Sequence, residues 1–265
     1  MLFVGARFSA DLPAYGADRS GWRPEQSDTD RFRRELLMKG LRKRVLLSWS
    51  SGKDSAWALH MLRQRPDVEV AGLLTTVNER FDRVAMHAVR TDLLRRQADS
   101  VGLPLRLVDL PFQCANEVYE DRMRAAICLA REDGIEGVAF GDLFLADVRQ
   151  YREKMMEGTG ITPLFPLWGR PTVELAREMT AGGLRARITC VDPRRLPAAM
   201  SGREYNDDFL KELPEGVDPC GENGEFHSFA FDGPMFNRPV EFTVGETVER
   251  DGFVFTDLAP VNPRL

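Results

Sequence analysis

The sequence predicts an α/β fold in which a doubly wound parallel sheet is followed by a smaller mixed α+β domain. Three observations carry that expectation. Short apolar strands alternate with amphipathic helices from residue 44 to about residue 140. A tight serine- and glycine-containing loop follows the first of those strands directly. Beyond Pro193 the chain becomes rich in glycine and proline and ends in short alternating runs typical of hairpins.

The elements follow in order. Val45, Leu46 and Leu47 form a short buried strand, and the next helix carries Ala56, Leu59 and Leu62 on its apolar face. Val68 to Thr76 is the second strand. Residues 87–101 are read as a helix with Leu93, Leu94, Ala98 and Val101 inward and Gly102 as its stop. Leu105 to Leu110 is the third strand, residues 115–132 the next helix, and Gly137 to Phe140 the fourth strand. Ala146 to Met156 is a helix, after which Pro163, Pro166 and Pro171 break the pattern. A helix from Val173 to Thr180 and a strand from Arg187 to Val191 follow. Hairpin strands are expected at Phe226 to Phe231, Val240 to Val244 and Phe253 to Asp257, the last two turning on Asp251-Gly252. The domains are therefore placed at residues 1–40 (a flexible N-terminal extension), 41–168 and 169–265, with the boundary near Trp168.

Composition narrows the function classes. Hydrophobic residues make up 43% of the 265, enough for a core, and the net charge is -5. An acidic chain speaks against a nucleic-acid partner. No apolar run approaches the ~18 residues of a membrane span. Met1 to Val4 is too short for a signal-peptide core, and Asp11 and Asp18 argue against a transit peptide. The four cysteines show no metal-binding spacing with His60, His87 or His227, so a reduced, cytoplasmic protein is expected. Homodimerisation stays open.

Three constellations carry chemistry. In the first, Ser50, Ser51, Gly52, Lys53, Asp54 and Ser55 lie between the first strand and its helix. Backbone N–H groups at a helix start, small hydroxyls and one lysine suit a pyrophosphate. A serine helix cap is the plainer alternative, but a cap needs one hydroxyl and three are present. In the second, Gly141-Asp142 ends the fourth strand, facing the same crevice. Asp142 there either assists Mg²⁺ or a substrate amine, or caps a helix. In the third, Glu222, Glu225 and His227 lie within six residues of a glycine-kinked loop. The carboxylates can hold an ammonium group or a cation, and the histidine can move a proton. A hairpin turn with exposed acids is its plainer reading.

The loop resembles the SGGxDS signature of the PP-loop enzymes, the N-type ATP pyrophosphatases of the adenine nucleotide alpha hydrolase superfamily. That group includes GMP, asparagine and argininosuccinate synthetases and tRNA thiolation enzymes. The resemblance implies cleavage of ATP between its α- and β-phosphates, with the loop holding the leaving pyrophosphate. Ser51 stands where that signature has glycine. Taken with Arg83-Val84-Ala85-Met86-His87, Gly141-Asp142, Pro166-Leu167-Trp168, the Cys220 to Ser228 block and Asp232-Gly233-Pro234-Met235-Phe236, the chain is similar to the diphthine–ammonia ligase family and its prokaryotic relatives over residues 44–240. This implies a HUP-type α/β domain with a smaller mixed domain behind it. It also implies a reaction in which ATP adenylates a carboxylate and ammonia displaces AMP to leave an amide. Two departures stand out: Met155 and Met156 occupy a helix where many members have a cysteine, and the block reads Glu-Asn-Gly-Glu rather than Glu-Gly-Gly-Glu.

On this reading ATP and Mg²⁺ are the cofactors. Ammonia and a carboxylate, on a small molecule or a protein side chain, are the partners. Lys53, Asp54, Asp142, Glu222, Glu225 and His227 are the catalytic candidates. The nucleotide is expected at Ser50 to Ser55 and Gly141, with the adenosine over the end of the second strand at Thr75 and near Met86 and His87, which serve equally as loop filler. Asp54 and Asp142 are the candidates to assist the metal. The acceptor is expected between the domains, facing Glu222, Glu225 and His227. Two other functions compete: a nucleotide-binding regulator without catalysis, and a thiolation enzyme, which needs positioned thiols.

Overall fold

The computed structural model describes residues 42–79, the backbone of 83 and 84, and residues 89–261. The expected N-terminal extension, Met86 and His87 lie outside them. Five parallel strands build the first sheet: β1 (Lys43–Ser48), β2 (Val68–Asn78), β4 (Leu105–Leu110), β5 (Gly137–Ala139) and β6 (Thr162–Leu164). Their order is β4-β2-β1-β5-β6, and the two-residue β3 (Arg83–Val84) pairs antiparallel with the end of β2. Chain order thus reverses at β1, between β2 on one side and β5 on the other. A doubly wound sheet opens its ligand crevice at such a point.

β1 is buried on both faces because its apolar run is continuous. Alternate residues serve opposite cores. Leu46 packs with Met123, Ile127 and Ala130 of α3 (Asn116–Glu132) and with Met156 of α4 (Ala146–Met156). Val45 and Leu47 pack with Ala56, Leu59 and Leu62 of α1 (Lys53–Arg63) and with Leu93, Leu94 and Ala98 of α2 (Thr91–Val101). This second core continues without a break into the C-terminal half. There it includes Leu175, Ala176 and Met179 of α5 (Thr172–Ala181), and also Phe229, Ala230 and Met235. The described residues accordingly form one compact unit.

The second sheet is antiparallel. Its centre is β7 (Arg185–Val191), flanked by β8 (Glu204–Tyr205), β9 (Phe226–Asp232) and the hairpin of β10 (Phe242–Arg250) and β11 (Phe253–Pro260). The short helix α6 (Asp207–Lys211) is capped by Asn206, whose side chain accepts from Phe209 N at 2.9 Å. The β10–β11 turn falls on Asp251 and Gly252, at φ 54° and 79°. Paired positive φ values are what a two-residue turn needs, and Asp-Gly supplies them.

Four expectations are corrected. Thr162–Leu164 is a strand although Pro163 looked like a breaker: it is the edge strand, where a missing N–H is tolerated. The helix expected over 87–101 begins at Thr91, with Arg90 extended before it. The strand at Phe226 does not join the terminal hairpin but pairs with β7. Finally, the strand expected at Val240 to Val244 runs from Phe242 to Arg250.

Candidate active site

The loop between β1 and α1 is held from every side. Trp49 N donates to Leu74 O at 2.8 Å, and the Thr75 hydroxyl donates to Trp49 O at 2.7 Å. The buried Trp49 indole donates to Gln97 Oε1 at 2.9 Å, while Gln97 Nε2 donates to Ser51 O at 3.0 Å and Ala230 O at 2.5 Å. Strand β9 closes the arrangement: Ala230 N donates to Ser51 O at 2.9 Å, and Lys53 N donates to Ser228 Oγ at 3.2 Å. Ser51 is thereby held at φ 70°, a left-handed conformation that side chains other than glycine enter at a cost.

Gly52 is the N-cap of α1 and provides no side-chain cap, so the first turn keeps its anion-attracting end. Ser50 Oγ donates to Ser55 Oγ at 3.2 Å, and Ser55 Oγ donates to Gly52 O at 2.9 Å. The end of β5 comes so close that a Cβ on Gly141 would sit 3.1 Å from Asp54 C and Ser55 N. Any larger residue there would press on backbone rather than on a flexible side chain, so glycine eases the approach.

A cavity of about 220 Å³ opens at this point, walled by Ser48, Ser50, Ser55, Asp54, Gly141 and Asp142 on the first sheet's side. Glu222, His227 and Ser228 face them from the C-terminal half, and Arg152 of α4 stands at the rim. Lys53 also borders the cavity, but its ammonium is buried. It donates to Asp54 Oδ1 and Oδ2 at 2.9 and 2.8 Å and to Cys220 O, and it lies 5.6 and 5.3 Å from the ring centroids of Tyr205 and Phe226. Burial is the largest influence and opposes its charge, but Asp54, Cys220 and Glu222 together outweigh it and the net shift of the lysine is upward.

Two further groups are tuned strongly. Burial lifts the Glu222 carboxyl to about 7, against a hydrogen bond of 2.7 Å from Leu143 N, with Asp54 and Asp142 adding to the rise. His227 is pushed down to about 4 by burial and by Lys53, so it is neutral at pH 7. Asp142 is raised by burial in spite of Arg152, whose Nε lies 3.5 Å from Asp142 Oδ2. The Cys220 thiol is pushed up to about 12 by burial, as is that of Cys190, which removes both as ready nucleophiles.

Four expected site residues lie outside the cavity wall, Gly52 among them as the N-cap of α1. Ser51 is fully buried outside the cavity wall, and its hydroxyl has no hydrogen-bond partner. Thr75 is buried, and its hydroxyl is committed to Trp49 O. Glu225 is not in the wall either. Its Oε1 accepts from Asp218 N, Asn223 Nδ2 and Arg195 Nη2, at 3.1, 3.2 and 3.4 Å, and so ties the 218–225 loop from within.

The residues fit a polyphosphate, since hydroxyls and an open helix start converge on one hollow. They fit Mg²⁺ only as an ion carried by phosphates with a carboxylate assisting. Asp54 is engaged by Lys53, and among the described residues no group of three His, Cys, Asp or Glu is arranged to hold a metal.

Sequence reasoning missed Arg152, Ser48, Ser228 and Gln97. Gln97, four residues after Leu93, is a polar residue on the buried stripe of α2, and that misplacement was its available signal.

Two family models match the chain. The diphthamide synthase N-terminal domain covers residues 43–163 and the diphthamide synthase C-terminal domain residues 171–256. Diphthine–ammonia ligase from Mus musculus is 31% identical over 153 residues, which are 56% of this chain and 57% of that protein. The aligned region thus spans little more than half the length of that relative. The Homo sapiens protein of the same name is 27% identical over 243 residues, 82% of this chain and 89% of its own. A U34-tRNA thiolase from Methanococcus maripaludis aligns with a TM-score of 0.34 at 12% identity, over 58% of this chain and 65% of its own. Among the described residues no helix is long and apolar enough to cross a membrane.

Proposed function

We propose a function on the premise that this chain belongs to the diphthamide synthase family: an ATP-dependent ligase that adenylates a carboxylate and amidates it with ammonia, diphthine being the acceptor. The observation that carries the proposal is the meeting, in one hollow at the sheet's switch point, of the phosphate loop with a carboxyl group that titrates near 7.

In this reading Ser50, Ser55 and the first turn of α1 hold the β- and γ-phosphates. Mg²⁺, when bound with the nucleotide, supplies charge neutralisation on the phosphates, and Asp54 or Asp142 assists in holding it. A carboxylate oxygen of the acceptor attacks the α-phosphorus, and the bond to pyrophosphate breaks. Ammonia then attacks the acyl carbon; its lone pair makes the C–N bond, and AMP departs with the electrons of the C–O bond. Starting from an ammonium ion, two protons must leave the nitrogen, one before attack and one as the amide forms. Glu222, partly ionised near neutrality, and neutral His227 are the groups in the wall able to take them.

The test is incubation with ATP, MgCl₂, ammonium chloride and diphthine. AMP, pyrophosphate and diphthine amide in equal amounts are expected. ADP and orthophosphate as products, or no acceptor-dependent turnover, would overturn the proposal.

A further inference from the structure

A second hollow adjoins the cavity at Arg152. On the other side of that residue a groove of about 530 Å³ runs between the start of α3 and α4, past Asn116, Tyr119, Asp147 and Tyr151. Arg152 belongs to the walls of both hollows.

Its neighbour on the same helix shows what a structural arginine looks like here. Arg149 donates to Glu153 at 2.8 Å and stacks 4.8 and 4.7 Å from the ring centroids of Phe165 and Trp168, so its charge is spoken for. Arg152 is positioned differently. Its guanidinium lies 4.8 Å from the Phe140 ring centroid, which fixes its plane. Its Nε faces Asp142 Oδ2 at 3.5 Å, beyond a sound hydrogen bond, and both atoms are buried without a hydrogen-bond partner. The other cation of the cavity, Lys53, is already bound to Asp54 and Cys220 O. Its Nε side is turned to Asp142, but among the described residues no hydrogen bond engages its two Nη atoms, and a planar guanidinium fixed between two hollows can offer a carboxylate two parallel donors.

We propose that the groove admits the acceptor and that Arg152 binds its carboxylate at the entrance to the phosphate cavity. This rests on the ligase reading above. Charge narrows the acceptor class. Among the described residues Arg152 is the single cation in the groove wall and Asp147 is an anion there, so a second polyphosphate is disfavoured. A lone carboxylate on a neutral or cationic carrier is favoured, and two tyrosines and an asparagine offer it stacking and hydrogen bonds. The division of space agrees: the cavity beside the loop has less than half the volume of the groove.

The experiment compares the wild type, Arg152→Gln and Arg152→Lys in three measurements. These are ATP affinity by calorimetry, line broadening of ¹³C-acetate as a carboxylate probe, and the KM for diphthine in the AMP-forming assay. For Arg152→Gln the expected result is loss of acetate broadening and a KM raised about thirtyfold or more, with ATP affinity within about twofold. Arg152→Lys, which keeps the charge and loses the fork, should fall between, and it decides the matter if the glutamine variant does not fold. Unchanged acetate broadening, no broadening in the wild type, or ATP affinity falling as far as KM rises would each overturn the assignment. Should the wild type broaden acetate through Arg152 yet make no AMP with diphthine, the carboxylate site stands and the ligase reading falls.

Discussion

Replacing Glu222 with glutamine separates the cost of its charge from the rest of its contacts. Glutamine keeps an oxygen where Glu222 Oε1 accepts from Leu143 N, and it cannot ionise. The folded carboxyl titrates at about 7 against an ordinary value of 4.5, because burial and the nearby Asp54 and Asp142 disfavour the anion. Below pH 4.5 the group is protonated in both folded and unfolded chains, and the two proteins should be equally stable. Between 4.5 and 7 the folded wild type still holds a proton that the unfolded chain has lost, so its stability falls as pH rises. Above 7 the penalty is complete. At about 1.4 kcal/mol per pKa unit the full difference is about 3 kcal/mol, and solvent contact at the cavity rim brings it to roughly 1.5 kcal/mol. For a chain of this size that is a gain of about 3–6 °C in Tm for the glutamine variant at pH 8. Thermal melts of both proteins from pH 4.5 to 8.5 measure it. A Tm difference independent of pH, or a glutamine variant less stable at pH 8, would show that Glu222 is not held near neutrality by its surroundings.

Three other outcomes follow from the loop. Ser51→Gly removes a left-handed side chain and a buried hydroxyl without a partner, each costing about 1 kcal/mol or more, and adds about 0.5–1 kcal/mol of chain entropy to the unfolded state. A net gain of about 1–2 kcal/mol is expected in urea denaturation, and a loss would contradict the geometry. Gln97→Ala strands Trp49 Nε1, Ser51 O and Ala230 O in the core, and should cost about 3–5 kcal/mol in the same assay; a cost below about 1 kcal/mol would refute its role as the hub of the loop. Gly141→Ala sets a methyl 3.1 Å from the backbone of Asp54 and Ser55, which cannot swing aside. ATP affinity measured by calorimetry should drop about tenfold or more, and unchanged affinity would mean that the start of α1 does not bind the phosphates.

The first sheet was legible because its strands are buried on both faces and its helices carry strong stripes, so Leu46, Leu93 and Ile127 announce their elements locally. The loop between β1 and α1 was legible for the same reason: strand, small residues and helix start are consecutive. What escaped depends on partners distant in the chain. Pro163 is acceptable only because β6 turns out to be an edge, and β9 pairs with β7, some 40 residues earlier, rather than with the next strand. In the third constellation, the run from Glu222 to His227 could be read as one polar cluster, but the chain direction decides which residues face the hollow. Glu222 and His227 do, while Glu225 turns inward to Asp218 and Asn223. Gly221 and Gly224, at φ 71° and 81°, bend the segment so that neighbouring acids part company.

The bonds from Ala230 N to Ser51 O and from Lys53 N to Ser228 Oγ have a consequence for how such a protein can be built and divided. The loop after β1 is finished by a strand encoded 175 residues downstream of Lys53. A fragment ending near Trp168 would keep the parallel sheet and its motif yet lack the piece that sets the motif's shape. Exchanging C-terminal halves between proteins of this architecture would therefore require an incoming strand with an N–H and a hydroxyl at those two positions. Rigid swinging of one half away from the other would break both bonds and disturb the loop itself rather than merely uncover it.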